Sequence, residues 1–391
     1  MKSLLAILAV LALAACAGTN ASNNGALPGR TVLPQQAHAI PIETSAPSSF
    51  ACPAHHHVRA NCSTRERSDL HPLTDSGALA PDAIPGYHPR DVQAAYTLGD
   101  RGGTVAIVVP YGYDAAESDL AVYRSKFGLP ACTTRNGCLR IVAAPAPGAR
   151  SAQAAWSAET ALDLDVVSAA CPACSIALVR AGSDRLSDLL TALRAATALR
   201  PTAISVSWAI PESGLSAAPV WTHDGIPVVA GTGDGGYGVA WPSTDPTVIA
   251  AGGTTLQRDA AAQRGFRESG WSDAGYGCSA LFAAPRWQAS PCGGRAVADV
   301  SADADPATGV AVYDSQPTGH GRWAATGGWA VYGGTSVAAP IVAAAVAQSS
   351  EAPRLSTPQF LYAHPELLNA VSPGGSPLQS GLGSPNGANG L

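Results

Sequence analysis

One stretch limits the folds open to this chain more than any other: Gly333-Gly334-Thr335-Ser336-Val337-Ala338-Ala339-Pro340, followed by a run of small apolar residues over 341–347. Paired glycines let the backbone turn sharply, and the residues after them read as a helix without a polar face. Such a helix must be enclosed by other layers of structure. Ser336 stands at its N-terminus, where unpaired amides and the positive dipole end favour negative charge developing on an attacked carbonyl. Pro340 is expected within the first turn, where a missing amide costs little.

The rest of the chain supplies the layers. Short apolar runs predict strands at 104–109, 175–179, 203–207, 227–230 and 248–251, and helical spacing predicts helices at 115–127, 152–170 and 186–199. Strands alternating with helices imply an α/β fold whose mainly parallel sheet is covered on both faces. The folded domain is expected over 87–391, opening at Tyr87-His88-Pro89-Arg90. Residues 17–86 are rich in Ala, Pro, Ser, Asn and Gly without apolar periodicity, and read as a low-complexity tether. His55-His56-His57 within it reads as a solvated loop, since three consecutive side chains on an extended chain cannot converge on one ion.

The chain opens with Met1-Lys2, an apolar run over 4–15 and Cys16. That is an export signal, too short to stay in a bilayer as a spanning helix. Leu13-Ala14-Ala15-Cys16 looks like a bacterial lipobox, so residues 1–16 are expected to be a lipoprotein signal peptide with Cys16 acylated. The expected location is the cell envelope, anchored by that lipid, or the medium. Eight further cysteines suit an oxidising compartment. Local pairing is expected: Cys52 with Cys62, Cys132 with Cys138, Cys171 with Cys174, and Cys278 with Cys292. Cys171-Pro172-Ala173-Cys174 could also be a redox or zinc motif, but no second such pair or histidine cluster stands near it. The net charge is −5, and the basic residues form no run or stripe, which argues against a nucleic-acid partner. A monomer is expected.

Which base would serve Ser336? A histidine triad needs an Asp at the end of the first core strand and a His opening a Gly-flanked helix. The first strand here runs into Val109-Pro110, and none of the nine histidines has that setting; His223 precedes a strand and His320 lies in a Gly-rich loop. Glu159-Thr160-Ala161-Leu162-Asp163 offers carboxylates instead. Ala155, Ala158, Leu162, Val166 and Ala169 predict an amphipathic helix with both acids on one flank of its core stripe and Asp165 on the other. Two acids one turn apart repel unless they share a proton, which raises the pKa of one of them. In Val228-Val229-Ala230-Gly231-Thr232-Gly233-Asp234, a strand ends in a glycine-rich turn that presents one acid at the carboxyl edge of the sheet.

The Gly-Thr-Ser string resembles the nucleophile segment shared by subtilisin-like and sedolisin serine peptidases. With Glu159, Asp163 and Asp234, the chain resembles the sedolisin family from about His88 to the C-terminus. Ala250-Ala251-Gly252-Gly253-Thr254, Pro285-Arg286-Trp287-Gln288 and Asp299-Val300-Ser301-Ala302-Asp303 are part of that resemblance. It implies a subtilisin-like domain with a mainly parallel seven-stranded sheet. It also implies a serine-type endopeptidase with Ser336 as nucleophile, Glu159 as base, Asp163 orienting it, and a protonated Asp234 donating to the oxyanion, which favours acid pH. A noncatalytic surface lipoprotein that keeps the fold for binding is the rival reading, and retention of all four residues weighs against it. An esterase would want a Gly-x-Ser-x-Gly elbow, which is absent. No cofactor is expected. Sedolisins have a C-terminal calcium site, but here Asn369 and Pro377-Leu378-Gln379 stand where carboxylates are expected, so calcium binding should be weak or absent. They also have a long folded prosegment, and only residues 17–86 precede the domain here.

Overall fold

The computed structural model describes residues 46–52, 58–74, 79–142, 154, 156–317, 327–374, 376–387 and 390–391. The expected signal peptide with Cys16, residues 17–45 of the expected tether, His55-His56-His57, His320 and the expected helix start at 152 lie outside the described residues.

Strands β1 (Ser48–Phe50), β2 (Asn61–Cys62) and β3 (Arg65–Arg67) come first, then helix α1 (Pro89–Tyr96). The expected alternation follows as β4 (Thr104–Pro110), α2 (Ala116–Lys126), β5 (Leu139–Val142), α3 (Ser157–Ala170), β6 (Ser175–Ala181), α4 (Leu186–Ala198), β7 (Ala203–Val206), β8 (Trp208–Pro211) and β9 (Val228–Gly231). The remainder supplies β10 (Ala240–Trp241), β11 (Ile249–Arg258), β12 (Phe266–Gly270), β13 (Gly277–Ala283) and β14 (Gly294–Val297). After these come β15 (Val300–Asp303), β16 (Val310–Asp314), β17 (Gly328–Gly333) and α5 (Thr335–Gln348).

The central sheet runs β12-β11-β9-β7-β4-β6-β5, with β15 also on β11. Every pairing in it is parallel except β11 with β12. It is therefore eight-stranded, and the seven-stranded expectation is corrected. β11 continues seven residues past Ala251, and β12 folds back on that extension. Strand β4 shows why the middle of the sheet is so apolar. Val105, Ile107 and Val109 join the core under α1, α3 and α5, whereas Ala106 and Val108 join the core under α4 with Trp208 and Trp241. A parallel strand covered on both faces needs apolar residues at every position.

Two expectations fail here. α3 is not amphipathic in its surroundings: every residue from Ser157 to Ala170 is buried, enclosed by α1, α2, α5 and β16, so no flank of it meets water. The tether is also shorter than 17–86. β1 pairs with β3, β3 with β17, and β2 with β8, all antiparallel, and Leu73 bridges Trp329. Backbone pairing to an exposed strand edge requires no side-chain periodicity in the added strand. Composition alone therefore misplaced the boundary at residue 87. The four local disulfides are formed, with Cα separations of 4.8–6.4 Å.

Candidate active site

β17 delivers the chain to Gly334, whose φ of 99° suits glycine, and the helix starts at the next residue. A Cβ at Gly334 would collide with the Ser63 carbonyl and with Asp234 Oδ2. Ser336 is fully buried in the first turn. Its Oγ lies 3.0 Å from Glu159 Oε2 and 3.0 Å from the Ser207 carbonyl oxygen. A hydroxyl has one proton to give. With Glu159 ionised, Ser336 donates to it; with Glu159 protonated, Glu159 donates to Ser336, which then donates to Ser207.

Thr64 Oγ1 donates to the same Glu159 Oε2 at 2.7 Å, and Ser207 Oγ donates to Asp163 Oδ1 at 2.5 Å. The other oxygens, Glu159 Oε1 and Asp163 Oδ2, are buried without a hydrogen-bond partner. Burial, and then the neighbouring Asp163, push Glu159 well above the usual carboxylate range, against the bonds from Thr64 and Ser336. Burial pushes Asp163 up as well, against the bond from Ser207. Such a pair holds a proton between its members into the range where free carboxylic acids have lost theirs.

Asp234 follows β9 on the turn Thr232-Gly233. The Thr335 amide and Oγ1 donate to its Oδ1 at 2.8 and 3.0 Å, and the Gly233 amide donates to Thr335 Oγ1 at 3.0 Å. Oδ2 has no hydrogen-bond partner, and Arg65 Nε lies 3.7 Å from it. Burial raises Asp234 to about 7, against the Thr335 amide and Arg65. Because Oδ1 already accepts two bonds, the proton belongs on Oδ2. That oxygen lies against Gly334, on the side where the Ser63 carbonyl also sits.

Ser336, Glu159, Asp163 and Asp234 thus converge from α5, α3 and the turn after β9. Asp165, on the same helix, instead accepts from the Tyr313 amide at 2.9 Å and serves packing. The described histidines, His71, His88, His223 and His364, make their ring contacts away from Ser336. Pro340 departs from expectation: it lies inside α5, past the first turn. Its ring nitrogen cannot donate to the Ser336 carbonyl four residues back, and Ser207 Oγ lies 3.4 Å from that oxygen instead.

Ser207, Thr64 and Arg65 are site residues that pattern reasoning missed. Ser207 ends the predicted strand 203–207 at the carboxyl edge of the sheet, the one signal that could have found it. Cys52 and Cys62 also approach Glu159, but their sulfurs are joined to each other and offer no metal ligand.

Known proteins resemble this chain in both sequence and fold. Kumamolisin from Bacillus sp. (strain MN-32) is 31% identical over 341 residues, which cover 75% of this chain and 57% of that protein. Sedolisin from Pseudomonas sp. (strain 101) is 34% identical over 118 residues, 27% of this chain and 18% of that protein. The chain therefore spans less than two thirds of the length of these relatives. The solved structure of Pseudomonas sedolisin, a serine-carboxyl proteinase complexed with two molecules of pseudo-iodotyrostatin, superposes with a TM-score of 0.60 at 20% identity. That match covers 77% of this chain and 95% of that one. The subtilase family model matches residues 148–367, more than half of the sequence and the part that carries Glu159, Asp163, Asp234 and Ser336, so the chain belongs to the subtilase family.

Proposed function

We propose that this protein is a serine-carboxyl endopeptidase that hydrolyses internal peptide bonds of proteins or peptides through an acyl-enzyme on Ser336, and that it works in acid. The 3.0 Å contact between Ser336 Oγ and Glu159 Oε2 carries this reading. Glu159 takes the serine proton and returns it to the leaving amine, and Asp163, held by Ser207, keeps negative charge beside it. The Ser336 amide and neutral Asp234 hold the oxyanion. The likeness to kumamolisin and sedolisin supports the same chemistry.

The protein is further proposed to be exported and anchored through Cys16, on the pattern of residues 1–16. It is also proposed to work without calcium. Asn369 Nδ2 donates to the Pro385 carbonyl at 2.5 Å, and Gln379 Oε1 accepts from the Ser376 amide at 2.8 Å. Neutral amides engaged in this way do not fit a hard dication. Excess chelator should leave the rate unchanged.

The test of the acid mechanism is the pH dependence of hydrolysis of an unstructured peptide, with a folding control at each pH. A bell is expected, its acid limb set by the Glu159–Asp163 pair, which burial raises, and its alkaline limb falling as Asp234 ionises near 7. A plateau from pH 7 to 9 with negligible rate at pH 4 would overturn the carboxylate roles.

A further inference from the structure

We propose that the peptidase selects substrates by a basic residue, arginine above all, at the second position after the cut bond, and that Asp273, Trp271 and the Asp234 carbonyl hold that side chain. The inference rests on the peptidase reading above and names what the leaving side of its groove binds. The chain's own residues 61–66 mark that groove. The Ser63 carbonyl oxygen accepts from the Ser336 amide at 3.1 Å and lies with Asp234 Oδ2 against Gly334. Ser63 therefore stands where a residue whose carbonyl is attacked must stand. Thr64 is then the first residue on the leaving side, and Arg65 the second.

Backbone pairing fixes this register. Upstream, Asn61 and Cys62 pair antiparallel with Ala209 and Trp208 of β8. Downstream, Arg65 and Glu66 pair antiparallel with Gly333 and Tyr332, the end of the strand that leads into Ser336. Main-chain bonds of this kind accept any sequence, so a substrate that takes the place of residues 61–66 is chosen by the pockets its alternate side chains enter. Thr64 turns to Glu159, donating to Oε2 at 2.7 Å. Arg65 turns the other way, to Asp234 and Asp273.

The pocket on that side fits a planar cation. Arg65 Nη2 donates to the Asp234 carbonyl oxygen at 2.6 Å, Nη1 lies 3.4 Å from Asp273 Oδ2, and the guanidinium carbon lies 5.6 Å from the centroid of the Trp271 ring. Nε lies 3.7 Å from Asp234 Oδ2. One fork thus spans a carbonyl, a carboxylate and an aromatic face, which a lysine ammonium, a point charge on one nitrogen, does less well. Phe50 also lies 4.4 Å from the guanidinium, but it belongs to the same N-terminal segment and is no wall for another substrate.

The pocket is built by the domain itself. The Gly236 amide donates to the Asp273 carbonyl at 2.8 Å and the Gly275 amide to the Gly233 carbonyl at 2.6 Å, which ties the turn carrying Asp273 to the turn carrying Asp234. The Trp271 amide donates to the Gly253 carbonyl at 2.9 Å and holds the ring against the sheet. Asp273 keeps 49% of its side chain exposed with Arg65 beside it, so its carboxylate is open to an incoming peptide. A cation seated here also stands beside the oxyanion position, where its charge favours the negative charge that develops on the attacked carbonyl.

The test offers the full-length chain two unstructured peptides that differ only in arginine or glutamine at the second position after the cut bond, at the pH of maximal rate, with the cut located from product masses. kcat/KM for the arginine peptide should exceed that for the glutamine peptide about tenfold, the size of a charge-assisted contact, with a lysine peptide between them. Asp273→Asn should shrink that ratio at least about threefold, and Asp273→Lys should turn the preference toward a glutamate peptide. Each ratio is taken within one preparation, so a change in the amount of folded enzyme cancels. Equal kcat/KM for the arginine and glutamine peptides, or a ratio that both Asp273 variants leave unmoved, overturns this inference and leaves the peptidase reading standing. A wild-type chain that cuts neither peptide overturns both.

Discussion

Ser336 has two acceptors for one proton, Glu159 Oε2 and the Ser207 carbonyl, so its state follows the protonation of the Glu159–Asp163 pair. Replacing it, Ser336→Ala, should lower turnover on the order of 10⁶-fold with the fold unchanged by circular dichroism. A purified variant that cleaves denatured protein at near the wild-type rate would refute the nucleophile. Under the proposed mechanism Ser207 acts through Asp163, to which its hydroxyl donates. Ser207→Ala removes the hydroxyl that opposes the rise of Asp163 and leaves the carbonyl in place. The acid limb of the kcat profile should therefore move to higher pH, with kcat down roughly tenfold for the loss of a bond to a charged acceptor. An unmoved limb would mean that Ser207 only packs. Ser336, Glu159, Asp163 and Asp234 were legible because each sits in a short pattern with its own chemical reason. Ser207 and Thr64 carry no such pattern; what they do depends on which strand end faces which helix.

Helix α3 shows where periodicity reaches its limit. Small residues such as Ala158, Ala161, Ser168 and Ala169 let it be enclosed on all sides, yet Leu162 and Val166 still trace a stripe that resembles one face of a surface helix. Spacing identified the helix and the shared flank of Glu159 and Asp163, but not that the flank is dry. That enclosure raises both acids. The disulfides were legible at this scale because short separations make encounter frequent. Their stabilisation should follow loop length. Replacing Cys278 and Cys292 with alanine, a separation of 14, should cost about 3 kcal/mol in denaturant unfolding. Doing the same at Cys171 and Cys174, a separation of 3, should cost about half of that. The reverse order would contradict the chain-entropy account.

Across the whole molecule, burial raises Glu159, Asp163, Asp165, Asp234, Asp303 and Asp314, with Asp234 and Asp314 reaching about 7. The folded chain keeps these protons where the unfolded chain loses them, near 3.8 for an aspartate. For Asp234 and Asp314 that stability is therefore fully present below that value and is lost as pH rises through about 7. For Asp234 and Asp314 the loss is on the order of 4 kcal/mol each at the limit. The midpoint of thermal unfolding should be higher at pH 4 than at pH 8, and the opposite order in a scanning calorimeter would contradict this account. By itself the sequence determined the strand and helix alternation, the serine at a buried helix start, the two acids one turn apart and the acid on a glycine turn, because each is written in neighbouring residues. Only the tertiary structure decided that β11 runs on to receive an eighth strand, that α3 is sealed from water, and that Ser63 lies against Ser336. Those outcomes depend on backbone pairing and enclosure, which join distant segments through groups common to every residue and so leave no mark in side-chain pattern.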